Sequence, residues 1–180
     1  MNMEKILSTK ERVKILNSVI YSEDGMTVSV AAKETGLSKA LVSNYFRILQ
    51  MESILKRSGK KFTVQDNVCT KALKILLNLN YFDRELFRKY DFVRSAGLYG
   101  SFVKGTNTEA SDIDIWIFVD KISEEKIARM SSDLRSVFRN IRPLYLTSEK
   151  IAQMKREEST FYHSLIFGSI IIYGDGIEGI

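Results

Sequence analysis

One stretch, Gly97 to Asp120, constrains the chain more than any other. It reads Gly-Leu-Tyr-Gly-Ser-Phe-Val-Lys-Gly-Thr-Asn-Thr-Glu-Ala-Ser-Asp-Ile-Asp-Ile-Trp-Ile-Phe-Val-Asp. An apolar approach ends at Gly100-Ser101, and Lys104-Gly105 follow within one helical turn. Ser111-Asp112-Ile113-Asp114 then opens the apolar run Ile115 to Val119, the pattern of a buried strand. Side chains alternate across a strand, so Asp112 and Asp114, two apart, are expected on one face. Two adjacent carboxylates repel unless a cation lies between them, which makes the pair a candidate magnesium site. The Gly-Ser turn, opening a helix with free backbone N–H groups, is a candidate phosphate cradle.

The spacing Gly-Ser-x3-Gly-x5-Ser-Asp-x-Asp fixes six positions. At average residue usage its chance occurrence is on the order of one in ten million per window, so accident does not explain it. The pattern resembles the signature of the nucleotidyltransferase superfamily, the group that includes DNA polymerase beta, and in particular its minimal prokaryotic members. The resemblance extends from about Asp83 to the C-terminus. It implies transfer of a nucleotide from a nucleoside triphosphate with Mg2+ as cofactor. Asp112 and Asp114 are then the catalytic metal ligands, and Gly100 and Ser101 hold phosphate. Gly105 lets the backbone pass close to the nucleotide. Lys104, from its position, would add charge at the leaving pyrophosphate, and Ser111 would orient the aspartate turn.

The family pattern also places a third carboxylate, which activates the attacking hydroxyl, on the next strand. Here that strand, around Ile141 to Leu146, offers Arg142 and Pro143 instead. Asp120, Asp133 and Glu149 are at unsuitable spacings. Without a general base the attack would rely on positioning, with a rate loss of about 10²–10⁴.

Charge is distributed unevenly. The net charge is +5, and residues 1–65 hold 11 Lys or Arg against 6 Asp or Glu, so the whole surplus sits in the first third. That asymmetry suggests a basic nucleic-acid-binding module joined to an electrically balanced one. One cysteine, Cys69, excludes an intramolecular disulfide and a multi-cysteine zinc site, and a reducing cytoplasm is expected. The charged N-terminus gives no sign of a signal peptide. The longest apolar stretch, near Leu165 to Tyr173, is too short and glycine-broken to span a bilayer, so no membrane partner is expected.

Ser8-Thr9-Lys10-Glu11 has the form of a capping box, predicting a first helix there with Val13, Leu16, Val19 and Ile20 facing a core. A second helix, about Val28 to Glu34, should stop at Gly36, and Ser38 can cap a third running to about Met51. On that third helix Leu41, Val42, Tyr45, Phe46 and Leu49 are expected inward. Ala40, Ser43, Asn44 and Arg47 share the outward stripe. Ile54 to Val64 alternates around Ser58-Gly59 and reads as a hairpin whose tip carries Lys56, Arg57, Lys60 and Lys61. The order resembles a winged helix-turn-helix of the kind found in bacterial and archaeal transcription regulators. It implies DNA as partner, with Ser38, Lys39, Ser43, Asn44 and Arg47 near base edges and the four hairpin cations on phosphates. A protein-interaction module is the blander alternative.

The expected fold class is thus α+β. A winged helix-turn-helix domain spans 1–65, a helical connector 66–82, and a small mixed-sheet nucleotidyltransferase fold 83–180. The fused arrangement resembles that of prokaryotic, archaeal proteins. Ala72, Leu73, Leu76 and Leu77 make the connector too apolar to be free, and a homodimer is expected. Beyond the aspartate strand we expect a helix with Ile127, Met130, Leu134 and Val137 on one face. A strand near Ile141 to Leu146, helices over Ser148 to Glu157 and Phe161 to Phe167, and a last strand over Ile170 to Tyr173 follow. The helices should lie on one face of the sheet. His163 is read as a packed, hydrogen-bonded residue, Trp116 as core, Cys69 as an apolar filler, and Arg129, Arg135 and Arg139 as a solvated face.

Two functions follow. In one, the chain is an enzyme whose winged helix brings it to a nucleic-acid or protein acceptor. In the other it is a DNA-binding transcription regulator whose transferase-like domain is weak or inactive and senses nucleotide or mediates assembly.

Overall fold

A computed structural model describes residues 1–83 and 85–177, which form two units. The first comprises Met1–Leu77 together with Asn107–Ala110. Its elements are α1 (Met3–Leu7), α2 (Lys10–Val19), β1 (Met26–Thr27), α3 (Val28–Thr35), α4 (Lys39–Met51), β2 (Leu55–Ser58), β3 (Lys61–Val64) and the body of α5 (Val68–Asn80). Two starts differ from the sequence reading. A short α1 precedes the helix expected first, and Thr9 rather than Ser8 caps α2, its hydroxyl accepting from the Arg12 N–H at 3.2 Å. Arg12 therefore stands at the position that a capping box would give to Glu11.

The next two boundaries follow their punctuation. Gly36, at φ 66°, supplies the left-handed turn that ends α3, and the Ser38 hydroxyl accepts from the Leu41 N–H to start α4. Val42, Tyr45, Phe46 and Leu49 of α4 are buried, whereas Leu41 is only half-buried. Strands β2 and β3 pair antiparallel from Leu55↔Val64 to Ser58↔Lys61, so the hairpin turn is Gly59-Lys60, one residue later than expected. The two-residue β1 adds to β3 as a third strand. Leu73 and Leu77 of α5 enter this unit's core, but Ala72 and Leu76 stay exposed. Connector apolarity is thus satisfied within the unit on one side of the helix.

The second unit comprises Asn78–Thr106 and the chain from Ser111. It holds α6 (Glu85–Arg88), β4 (Val93–Leu98), α7 (Ser101–Lys104), β5 (Ile113–Val119), α8 (Glu124–Val137), β6 (Ile141–Leu146), α9 (Ser148–Arg156), α10 (Thr160–Gly168) and β7 (Ile170–Tyr173). The sheet order is β6-β5-β4-β7, with β5 and β6 parallel and the other pairs antiparallel, so the sheet is mixed. A parallel neighbour requires a crossover, and α8 provides it.

Helices cover both faces of this sheet, not one. Ile113, Ile115, Ile117 and Val119 pack with Phe87 of α6 and with Met130 and Leu134 of α8. The alternate side chain, Trp116, packs with Leu146, with Ile151 of α9 and with Tyr162 and Leu165 of α10. A strand apolar at both alternating sets demands two covers, which the run Ile-Trp-Ile-Phe-Val implies. On α8, Val137 is 58% exposed and Phe138 is buried instead, because the helix ends at Val137 and the chain turns inward there. His163 is exposed and stacks on Phe167 at 6.3 Å rather than being enclosed. No helix among the described residues is long and apolar enough to cross a membrane.

Candidate active site

Strand β4 delivers the chain to Tyr99 and Gly100, and β5 carries Asp114 back alongside them. The Tyr99 N–H donates to the Asp114 carbonyl at 3.0 Å, which locks the two strand ends in register. Gly100 adopts φ 72° and ψ −140°, a conformation that an L side chain rarely takes. A Cβ there would collide with Asp114 Oδ2, so the glycine is required twice, by its backbone and by the carboxylate it faces. Ser101 opens the single turn α7, and Gly105, buried at φ 65°, closes it with its N–H on the Ser101 carbonyl. The Asn78 amide, 3% exposed on α5, anchors that turn by donating to the Phe102 carbonyl at 2.8 Å. Sequence reading missed Asn78, one of two asparagines at the end of α5.

Asp112 lies one residue before β5 rather than on it, since the strand begins at Ile113, whose N–H donates to the Asn140 carbonyl at 2.9 Å. It remains close enough to act on Asp114. Burial first, and then the charge of Asp112, push the Asp114 carboxyl above its usual range, against the pull of Arg142. Burial and the Asp114 charge also raise Tyr99. Gly100, Ser101, Asp112 and Asp114 are therefore brought together at the ends of β4 and β5. Ser111 is half-buried beside Asp112. Lys104 is exposed on α7 and enters no ion pair among the described residues.

The β6 residue paired with Asp114 is Arg142, and its Nη2 lies 2.8 Å from Asp112 Oδ2. A guanidinium thus occupies the neighbourhood where a third carboxylate would complete the pair. Among the described residues no third His, Cys, Asp or Glu joins the two aspartates. Asp120, at the far end of β5, is tied instead to Arg94 of β4. Magnesium commonly takes one or two carboxylates and fills its octahedron with phosphate oxygens and water. Two crowded carboxylates, one with a raised pKa, fit an ion carried in by a phosphate ligand and do not make an all-protein cage.

In the first unit, Lys39, Asn44 and Arg47 are exposed on α4 and Ser43 is half-buried, while Ser38 is engaged as the cap. Lys56, Arg57, Lys60 and Lys61 are all exposed around the hairpin. Arg57 is partly spoken for: its Nε donates to the Gly59 carbonyl at 3.0 Å and its guanidinium lies over the Phe62 ring.

The family profile "Polymerase beta, Nucleotidyltransferase" matches residues 84–176, more than half of the chain, and the protein belongs to that family. The match begins just before α6 and ends beyond β7, so it takes in the whole four-stranded sheet and both aspartates. Among solved structures, one of a Sulfolobus solfataricus protein provisionally described as a nucleotidyltransferase is 14% identical, with a TM-score of 0.35. That similarity covers 56% of this chain and 84% of the other. No curated protein sequence matches the chain.

Proposed function

We propose that the second unit binds a nucleoside triphosphate with magnesium and transfers its nucleotide to an acceptor hydroxyl, and that the first unit is a winged helix-turn-helix that carries it to DNA. The observation that carries this reading is Asp114 set directly against Gly100, with Asp112 beside it, in a chain of the nucleotidyltransferase family. Asp112 and Asp114 would hold the metal, which when bound neutralises charge on the triphosphate. The Gly100-Ser101 backbone would hold phosphate, Gly105 would let the chain turn close to the nucleotide, and Lys104 would face the departing pyrophosphate. In such a transfer the acceptor oxygen bonds to the α-phosphorus, the bond to the β-phosphate oxygen breaks, and pyrophosphate leaves. With Arg142 where a base would stand, the hydroxyl proton goes to water, and the chemistry rests on positioning and electrostatics.

Arg142 also favours a second reading, in which the domain retains nucleotide binding without turnover and regulates a DNA-bound protein. Equilibrium binding of the four α-labelled ribonucleoside triphosphates with magnesium tests the shared premise. Wild type should retain at least one of them. The Asp112→Asn/Asp114→Asn variant should bind it at least about tenfold more weakly, since even groups behind metal ligands are worth that much. Equal retention by both proteins would remove the aspartates from the reading. Transfer of the α-label to the acceptor then separates the enzyme from the sensor.

A further inference from the structure

Alternation along β6 places Leu144 and Leu146 in the same core as Trp116, while Arg142 lies two residues back on that strand. Asp114 lies two residues back from Trp116 on β5, and its register partner on β6 is Arg142. Arg142 and Asp114 therefore emerge side by side at one end of one sheet face. From there the guanidinium reaches past Asp114 to Asp112, Nη2 to Oδ2 at 2.8 Å, with the arginine side chain still 70% exposed. An ion pair this open is weak and readily exchanged. Yet it stands on an oxygen that a divalent ion would need.

We infer that Arg142 is a phosphate-binding residue of this site that is parked on Asp112 as an exchangeable counter-ion, an assignment that rests on the nucleotide reading above. A carboxylate at this position would add a metal ligand; the arginine instead competes with the metal for Asp112. Arg142 yields Asp112 when a triphosphate arrives with its cation, and the freed guanidinium is then beside the incoming phosphates. Its planar fork of N–H donors matches phosphate oxygens, which a lysine ammonium does not reproduce. The consequence is discrimination. Free divalent cation is disfavoured because it must displace a paired charge and gains nothing for the arginine released. The cation–triphosphate complex is favoured because the arginine is satisfied again.

Manganese, which stands in for magnesium and is visible by paramagnetic resonance, provides the test on the full chain. Wild type, Arg142→Gln and Arg142→Lys are titrated with Mn2+ alone, and then with Mn2+ and a non-hydrolysable nucleoside triphosphate. The glutamine variant should bind Mn2+ alone about two- to fivefold more tightly, the equivalent of losing one exposed ion pair. It should bind the Mn2+–triphosphate complex more weakly by at least the same factor. The lysine variant should keep wild-type affinity for Mn2+ alone and recover the triphosphate only in part. Opposite signs in the two titrations of the glutamine variant are the signature. An Arg142→Gln variant that binds the Mn2+–triphosphate complex as well as wild type does, or whose affinity for Mn2+ alone does not rise, overturns the assignment alone. A wild type that binds no triphosphate overturns the nucleotide reading as well.

Discussion

Arg94 closes on Asp120 where β4 and β5 run past each other, its Nε donating to Oδ1 at 2.8 Å. That bond, and then the charge behind it, hold the Asp120 carboxyl below its usual range. A depressed acid adds stability that is present above the unfolded pKa and is lost as pH falls through the folded one. Asp120→Asn should therefore lower the melting temperature slightly at neutral pH. The difference from wild type should shrink to nothing once the solution is acid enough to protonate Asp120 in the folded protein. Melts at several pH values check this, and a deficit that persists in acid would assign the effect to packing. Asp112 meets an arginine too, but next to a second carboxylate, so its partner is exchangeable. These pairings explain what the sequence could reveal about the site. The glycines and aspartates of Gly100 to Asp114 were legible because each is required by a local turn or strand. The pairing of Arg142 with Asp112 was not, because it depends on the register of two strands that are joined through a helix. Asn78, which holds α7 from a distance, was hidden for the same reason.

Among the elements, β4 and β5 define the site through a second close approach at a glycine. Gly97 is the register partner of Trp116, and a Cβ on it would collide with the indole. The indole cannot retreat freely, since it is 1% exposed and its Nε1–H donates to Ser169 Oγ at 2.9 Å. Gly97→Ala should therefore destabilise the protein by about 1–3 kcal/mol, as overpacked cores do. Chemical denaturation measures it, and an unchanged midpoint would mean the strands separate easily. Element existence was largely readable from the chain. Capping residues announced α3 and α4, and a parallel β5–β6 pair agrees with a helix between them. What failed were features that depend on three-dimensional competition. The capping-box pattern pointed to Ser8 as the cap of α2, but Ser8 closes α1 and Thr9 starts α2. Val137 fitted the apolar stripe of α8, yet the helix ends there and Phe138 takes the buried place. The second cover of the sheet was implicit in a strand apolar on both sides.

For the molecule as a whole, the charge surplus of the first 65 residues is the feature that bears on partners. If the exposed cations around β2 and β3 neutralise phosphates, duplex binding must weaken steeply with salt. Removing one such cation makes the log–log slope shallower by about 0.9. Lys60→Ala/Lys61→Ala should thus reduce the slope by about 1.8 and weaken binding to all sequences alike. Arg47→Ala should cost about 1–3 kcal/mol at preferred sites and relax their preference. Anisotropy titrations with labelled duplexes decide both, and no detectable binding at low salt would dismiss DNA as partner. Finally, the chain has a single tryptophan, and it sits in the second unit beneath the aspartate face. Its emission on unfolding is therefore a signal from that unit alone, whereas far-ultraviolet dichroism is dominated by helices of both. Transitions that coincide by the two probes would mark one cooperative system, and transitions that separate would mark two. A protein of two units thus carries one built-in lamp, and it shines only on the half that holds the aspartates.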